Sequence, residues 1–163
     1  MKPLFTEKQK FTQWWLWVLM IGFGLIPIIG IYKQLIIGEE FGSKPMSNVG
    51  LILFSVFIYL LIAFFYFLQL KTKITSEEIS FTFFPLASNN VKWEDISETK
   101  IVNYGFVGGW GIRFWTPYGT VYNTKGKIGL AIEMKNGSKF LIGTQKESEL
   151  KNVLKEITSL NEA

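Results

Sequence analysis

Arg113 is the residue of this chain best equipped to hold an anion. It is the single arginine among 163 residues, and it lies in a predicted strand with Trp110, Phe114 and Trp115 close in sequence. A guanidinium in such a setting can stack on an indole while two of its N–H groups grip a carboxylate or phosphate. The same arginine could instead close an intramolecular ion pair with Glu133, which the sequence places on a neighbouring hairpin. The first use makes Arg113, Trp110 and Trp115 contacts for a ligand or partner; the second makes Arg113 structural. Lys71 and Lys73 offer a second basic group, opposed nearby by Glu77 and Glu78.

Other chemistry-bearing residues fit poorly with a reaction. Glu94 and Asp95 are adjacent carboxylates, but sequence neighbours usually point apart, and a turn at this point favours an acidic local cap. Glu39 and Glu40 could touch a divalent cation, yet two carboxylates fall short of the roughly six oxygens such ions take. Tyr104–Gly111, YGFVGGWG, lacks the lysine of a phosphate-binding loop, and a strand rather than a helix follows it. It is expected to be a flexible loop or bulge between strands, or a recognition loop.

The chain has no Cys and no His, which excludes disulfides, thiol catalysis, the commonest zinc and haem sites, and any triad using a histidine base. No metal, cofactor or enzymatic activity is expected. The formal net charge of +4 comes from scattered lysines, and with one arginine the chain lacks the clustered basic face that nucleic acid requires.

Elements must position these residues, and the first half of the chain supplies an unusual pair. Trp14–Tyr32 and Val49–Leu70 contain no charged residue. The first would reach roughly 28 Å as a helix, close to the roughly 30 Å of a bilayer's hydrocarbon core. Pro27, Gly22, Gly24 and Gly30 are tolerated in a spanning helix because neighbouring groups can satisfy the freed backbone, and a kink near Pro27 is expected. Ser55, Tyr59 and Gln69 are too few for an ion path, so the pair reads as a plain anchor. The first segment is not read as a cleaved signal peptide, since it is long and Ile31-Tyr32-Lys33 offers no small-residue cleavage pattern.

Lys2, Lys8 and Lys10 precede the first span, Lys71 and Lys73 follow the second, and the connecting loop carries Lys33 and Lys44. That bias puts both termini on the cytoplasmic side. Trp14, Trp15 and Trp17 would then share an interface with Phe64–Phe67. The organisation expected is a cytoplasmic tail over 1–13, a transmembrane helical hairpin over 14–70 with spans at 14–32 and 49–70, and a cytoplasmic β domain over 71–163.

Strand-like alternation begins after the second span. A strand at Lys73–Thr75 leads through a polar turn at Ser76–Glu78 into Ile79–Phe83, which alternates cleanly; Ser88–Asn90 reads as a loop, and Trp93 and Ile96 are expected to face inward. Further strands are expected at about 96–103, 111–115 and 120–122. Ile128–Met134 and Lys139–Ile142 form a hairpin closed by Asn136-Gly137. Leu150, Val153, Leu154, Ile157 and Leu160 make one helical stripe, started by a capping box from Thr144 to Glu147. Seven short antiparallel strands and a final helix point to two orthogonal sheets or a partly open barrel with one end covered.

Ile74-Thr75 with Ile79-Ser80-Phe81, the connector Trp93–Ile96, Gly108–Arg113 and Asn136-Gly137 with Leu141–Thr144 together resemble the bacterial pleckstrin-homology-like membrane proteins that carry a two-helix anchor. The resemblance implies an α+β chain: a transmembrane helical hairpin, then a seven-stranded antiparallel, partly open barrel with a C-terminal capping helix, in a bacterial inner membrane. It implies binding or scaffolding rather than catalysis. The expected role is a membrane-anchored interaction module for a protein partner or a second copy. The alternative is a sensor of anionic lipid headgroups, or another anionic ligand, through Lys71 and Lys73.

Overall fold

The computed structural model describes residues 2–161, with side chains through Ser159. The chain forms two compact units, one of Met1–Phe11 with Leu68–Ala163 and one of Thr12–Phe67.

The unit Thr12–Phe67 contains helix α1, Trp14–Ile31, continuing as a π-helical turn over Tyr32–Ile37, and helix α2, Asn48–Phe67. Both are long and apolar enough to cross a membrane. Helix α1 runs through Pro27, and the connection expected from Lys33 shortens because the helical path persists to Gly38, which closes it at φ 82°. The buried positions of α1, Met20, Gly24, Pro27 and Gly30, recur at three- and four-residue spacing and so form one stripe. Trp17 meets Tyr66 edge to face at 6.3 Å, the Tyr59 hydroxyl donates to the Gly24 carbonyl at 3.0 Å, and Gly30 lies against Leu51. Contacts therefore run in opposite order along the two helices. A β-carbon on Gly30 would come within 3.0 Å of Leu51 and Phe41, so the missing side chain sets the approach. Away from that stripe, side chains such as Ile21, Phe57 and Leu60 are more than 60% exposed.

Among the described residues the other unit has nine strands, two more than the sequence suggests. Strand β1, Phe5–Lys10, falls in the segment expected to be a tail. It begins a four-stranded antiparallel sheet in the order β1-β2-β3-β4, with β2 Gln69–Ile74, β3 Glu78–Phe84 and β4 Ala87–Lys92. The second apolar segment thus stops short of Leu70. Leu68 and Leu70 look like a continuing span but are buried with the strands. Strand β4 covers the expected loop at Ser88–Asn90.

The second sheet has five strands in the order β5-β8-β9-β7-β6, where β5 is Ile96–Asn103, β6 Gly111–Thr116, β7 Gly119–Asn123, β8 Ile128–Met134 and β9 Lys139–Gly143. The two sheets do not form a closed barrel, and the pairing is not wholly antiparallel: β7 runs parallel to β9, with Val121 opposite Leu141. Gly119 makes this contact possible. Its φ is 74°, and a β-carbon there would collide with the Lys139 carbonyl.

One core lies between the sheets and under helix α3, Glu147–Asn161. Phe5, Leu70, Ile74, Ile79, Phe81 and Phe83 come from the four-stranded sheet; Leu130, Ile132, Phe140 and Ile142 come from the other. Phe81 meets Tyr122 and Phe140 at ring separations of 4.6 and 5.6 Å. Leu150, Val153 and Ile157 bury the α3 stripe; Leu160 lies outside the described side chains. Trp93 is half-buried and its indole N–H donates to the Thr75 carbonyl.

A polar seam joins the chain's two ends inside this unit. The buried Glu7 carboxylate accepts from the Thr144 hydroxyl at 2.7 Å and from the Gln145 N–H at 2.8 Å. Gln9, also buried, donates to the Gly143 carbonyl and accepts from the Thr124 hydroxyl. The Thr144 hydroxyl in turn accepts from the Lys146 N–H at the start of α3. The capping box expected from Thr144 to Glu147 does not form: α3 begins at Glu147 itself, the Thr144 N–H donates to the Ile128 carbonyl, and the Thr144 hydroxyl is held by Glu7, 137 residues away in sequence.

Candidate functional site

The β6–β7 hairpin and the loop before it stand out from the rest of the β unit. Without Tyr104–Lys127, strands β5, β8 and β9 would form a simple antiparallel meander. The added segment attaches at the edge of that meander through β7. Part of it folds back over the sheet's outer face, where Tyr104, Val121 and Leu141 are buried with Val102, Val107, Tyr118 and Ala131 packed against them. The Tyr104 hydroxyl fastens the segment: it donates to the Gly126 carbonyl at 3.1 Å and accepts from the Asn123 amide at 3.1 Å. Burial pushes this phenol above its ordinary pKa, and the Asn123 hydrogen bond offsets part of the rise.

Arg113, Trp110 and Trp115 all belong to this segment. Arg113 faces the same side as Val121 and Leu141, with which its register aligns. The ion pair with Glu133 is absent. Glu133 pairs with Lys139 at 2.8 Å, its direct cross-strand neighbour, while the Arg113 guanidinium donates to the Trp110 carbonyl at 2.8 Å and lies against Gly109. Its Nε is buried with no hydrogen-bond partner in the structure. The arginine thus shapes the Gly108–Trp110 turn by a local bond.

Trp115 is 98% exposed and has φ 56°, in the left-handed region that a bulky side chain rarely adopts. It sits where the β6–β7 register slips between Arg113 and Thr116. Phe114 and Phe106 are also exposed, and the Phe114 and Trp115 rings lie 6.0 Å apart. Left-handed backbone at a non-glycine residue costs on the order of 1–3 kcal/mol, and here it holds an indole out into solvent.

Lys71 and Lys73 lie elsewhere, on the outer face of the four-stranded sheet. Strand β1 brings a further lysine to them: Lys8 stands directly opposite Lys71, and Thr6 opposite Lys73. Like charges directly across a strand pair repel each other. The same rows continue through Thr82 and Ser88, and through Ser80 and Asn90, a face of hydroxyls and amides. Among the described residues none of Lys8, Lys71 and Lys73 forms an ion pair. In the sequence Lys8 counts only toward orientation, and its place opposite Lys71 is hidden because β1 is.

Glu94 lies in a 3-10 turn with Asp95 and pairs with Lys92 at 3.1 Å, a local exposed contact. Among the described residues no group of three His, Cys, Asp or Glu side chains could hold a metal. A groove of about 350 Å³ runs along the outer face of the five-stranded sheet, lined by Glu98, Lys100, Tyr118, Glu133 and Lys139 among others, with charges of both signs. Comparison of the chain with protein-family models, curated proteins and solved structures gives no match.

Proposed function

We propose that this chain is a non-enzymatic, membrane-anchored interaction module, with α1 and α2 as a transmembrane hairpin and the β unit docking a protein partner or a second copy at the cytoplasmic surface. Several observations support the anchor. The two helices are uncharged and turn most of their apolar side chains outward. They are inserted between β1 and β2, which pair along six residues with Lys10 opposite Gln69. An insertion that leaves and re-enters one sheet at paired residues has to return to the side it left, which fits two crossings. The lysine bias makes that side cytoplasmic, in a bacterial inner membrane on the resemblance given above. The pleckstrin-homology-like reading is supported by strand order: setting aside β6–β7 leaves four strands, three strands and a C-terminal helix.

The observation that carries the docking role is Trp115, held exposed at φ 56° beside Phe114. Exposed aromatics at a rigid protrusion are what interface anchors are made of. Affinity capture of the full-length protein from mild detergent tests it. A stoichiometric partner or a dimer is expected, and Trp115→Ala should lose it at least tenfold. Recovery of the protein alone, as a monomer, would sink the reading.

A second reading has its own observation, the direct opposition of Lys8 and Lys71. A headgroup phosphate or free anion over this face would relieve their repulsion. Thermal unfolding of the full chain in nanodiscs would then rise with the fraction of anionic lipid. The rise should fade at high salt and shrink in Lys8→Ala. Equal melting in zwitterionic and anionic discs would rule it out.

A further inference from the structure

We propose that the β3–β4 turn, Phe84-Pro85-Leu86, is a wedge that inserts into the headgroup–acyl boundary of the membrane and fixes the orientation of the β unit. The proposal rests on the reading of α1 and α2 as spans. Three features of the β unit lead to it.

First, the turn stands at the strand ends through which the chain enters and leaves the helical segment. Lys10 ends β1, Gln69 begins β2 and Phe84 ends β3, and the three lie in one cross-strand row. With neighbouring strands about 4.8 Å apart, Phe84 lies within about 10 Å of both connections. Second, the connection is short. Helix α2 ends at Phe67 and β2 starts at Gln69, two residues on. Two residues reach at most about 7 Å, comparable with the roughly 5–7 Å of interfacial region on each side of the hydrocarbon core. The Gln69 end of the row that holds Phe84 is therefore tethered within reach of that interfacial layer.

Third, the turn has the chemistry for that layer. Phe84 is 45% exposed and Leu86 55%, with the exposed Pro85 between them. The Leu86 N–H donates to the Phe83 carbonyl at 2.7 Å, which keeps the turn tight. An aromatic and an aliphatic side chain displayed together suit the boundary between headgroups and acyl chains. At the opposite end of the same strands the β2–β3 turn carries Ser76 and Glu77, both exposed and polar.

The chain contains no cysteine, so single labels can be placed cleanly. Full-length Leu86→Cys, Glu77→Cys and Phe57→Cys, each carrying an environment-sensitive fluorophore, would be reconstituted in phosphatidylcholine–phosphatidylglycerol vesicles containing spin-labelled lipid quenchers. The expected result is a blue-shifted Leu86 adduct, quenched at least threefold more strongly than the Glu77 adduct by the shallow quencher, with the Phe57 adduct favouring the deep one. Equal, weak quenching at Leu86 and Glu77 with strong quenching at Phe57 would overturn the wedge and leave the spans standing. A blue-shifted but unquenched Leu86 adduct would mean that protein covers the turn, which also overturns it. An unquenched Phe57 adduct would remove the spans and the wedge together.

Discussion

Strands β1 and β6 are both edge strands, each at the end of its sheet, and they are built for opposite purposes. Strand β1 alternates buried and exposed along its whole length, and its inward side chains are Phe5, Glu7 and Gln9. The last two end in hydrogen bonds to Gly143, Thr144 and Gln145, so the strand is sewn to the far end of the chain. The Lys146 ammonium adds a contact over the Phe5 ring, 5.7 Å from its centroid. Strand β6 buries none of its residues fully, slips register after Arg113, and displays Phe114 and Trp115. One edge strand is fixed by polar bonds in the interior; the other displays a strained, exposed Trp115 beside Phe114. A bare sheet edge is a template for other chains, and proteins normally cover it unless contact is its purpose.

The sharpest way to break this contrast is to cut the seam. Glu7→Ala removes the acceptor of the Thr144 hydroxyl, which is left in a buried setting, and of the part-buried Gln145 N–H. A donor or acceptor left unsatisfied away from water costs about 1–3 kcal/mol, and the loss here should total about 3 kcal/mol. The full-length protein in detergent should melt on the order of 10 °C lower, while Glu7→Gln, which keeps one acceptor oxygen, should lose about half as much. Unchanged melting in Glu7→Ala would mean that β1 is not a fixed part of the frame.

The same contrast explains which parts were readable in the sequence. Asn136-Gly137, the two long uncharged helices and the buried Leu150, Val153 and Ile157 of α3 follow from local pattern and appear as expected. Strand β1 does not, because FTEKQK turns a glutamate and a glutamine inward, and no apolar period marks it. Strand β4, ASNNVK, buries Val91 alone and reads as a loop for the same reason. Leu68 and Leu70 extend the second apolar run although they belong to the sheet core; nothing local distinguishes lipid from protein interior. Glu133 is taken by another partner, and local pattern shows which: the Asn136-Gly137 hairpin sets it opposite Lys139, and that pair claims the carboxylate. Arg113, Trp110 and Trp115 could be named from composition, but the left-handed backbone at Trp115 depends on the register slip beside it and leaves no mark in the residue types.

A second test separates folding from contact at β6. Trp115→Gly allows the left-handed backbone at no steric cost, so the protein should gain about 1 kcal/mol and melt a few degrees higher. The indole is lost at the same time, so capture of a partner or second copy should fall at least tenfold. Trp115→Ala should lose capture without the gain in stability. Opposite signs for stability and binding are what a displayed, strained anchor predicts. A Trp115→Gly protein that is less stable, or that still captures its partner, would show that the indole serves packing.

The smallest effect lies at the junction between frame and display, at Tyr104. Replacing it with Phe removes the donor to the Gly126 carbonyl and the acceptor for the Asn123 amide, at a cost of about 1 kcal/mol. Because burial raises the folded-state pKa of this phenol, the folded protein holds the proton more tightly than the unfolded chain, whose tyrosine titrates near about 10. The stability linked to that proton is therefore fully present below about pH 10 and is lost as pH climbs through the folded value. Melting of the wild-type chain should fall above about pH 10 more steeply than that of Tyr104→Phe, and the tyrosinate absorbance lost in the variant should be a part that appears above the ordinary tyrosine range. Parallel melting curves over that range would separate the hydroxyl's hydrogen bonds from its proton, and would leave the inserted segment held to the frame chiefly by the packing of Val107 and Tyr118 on Val121 and Leu141.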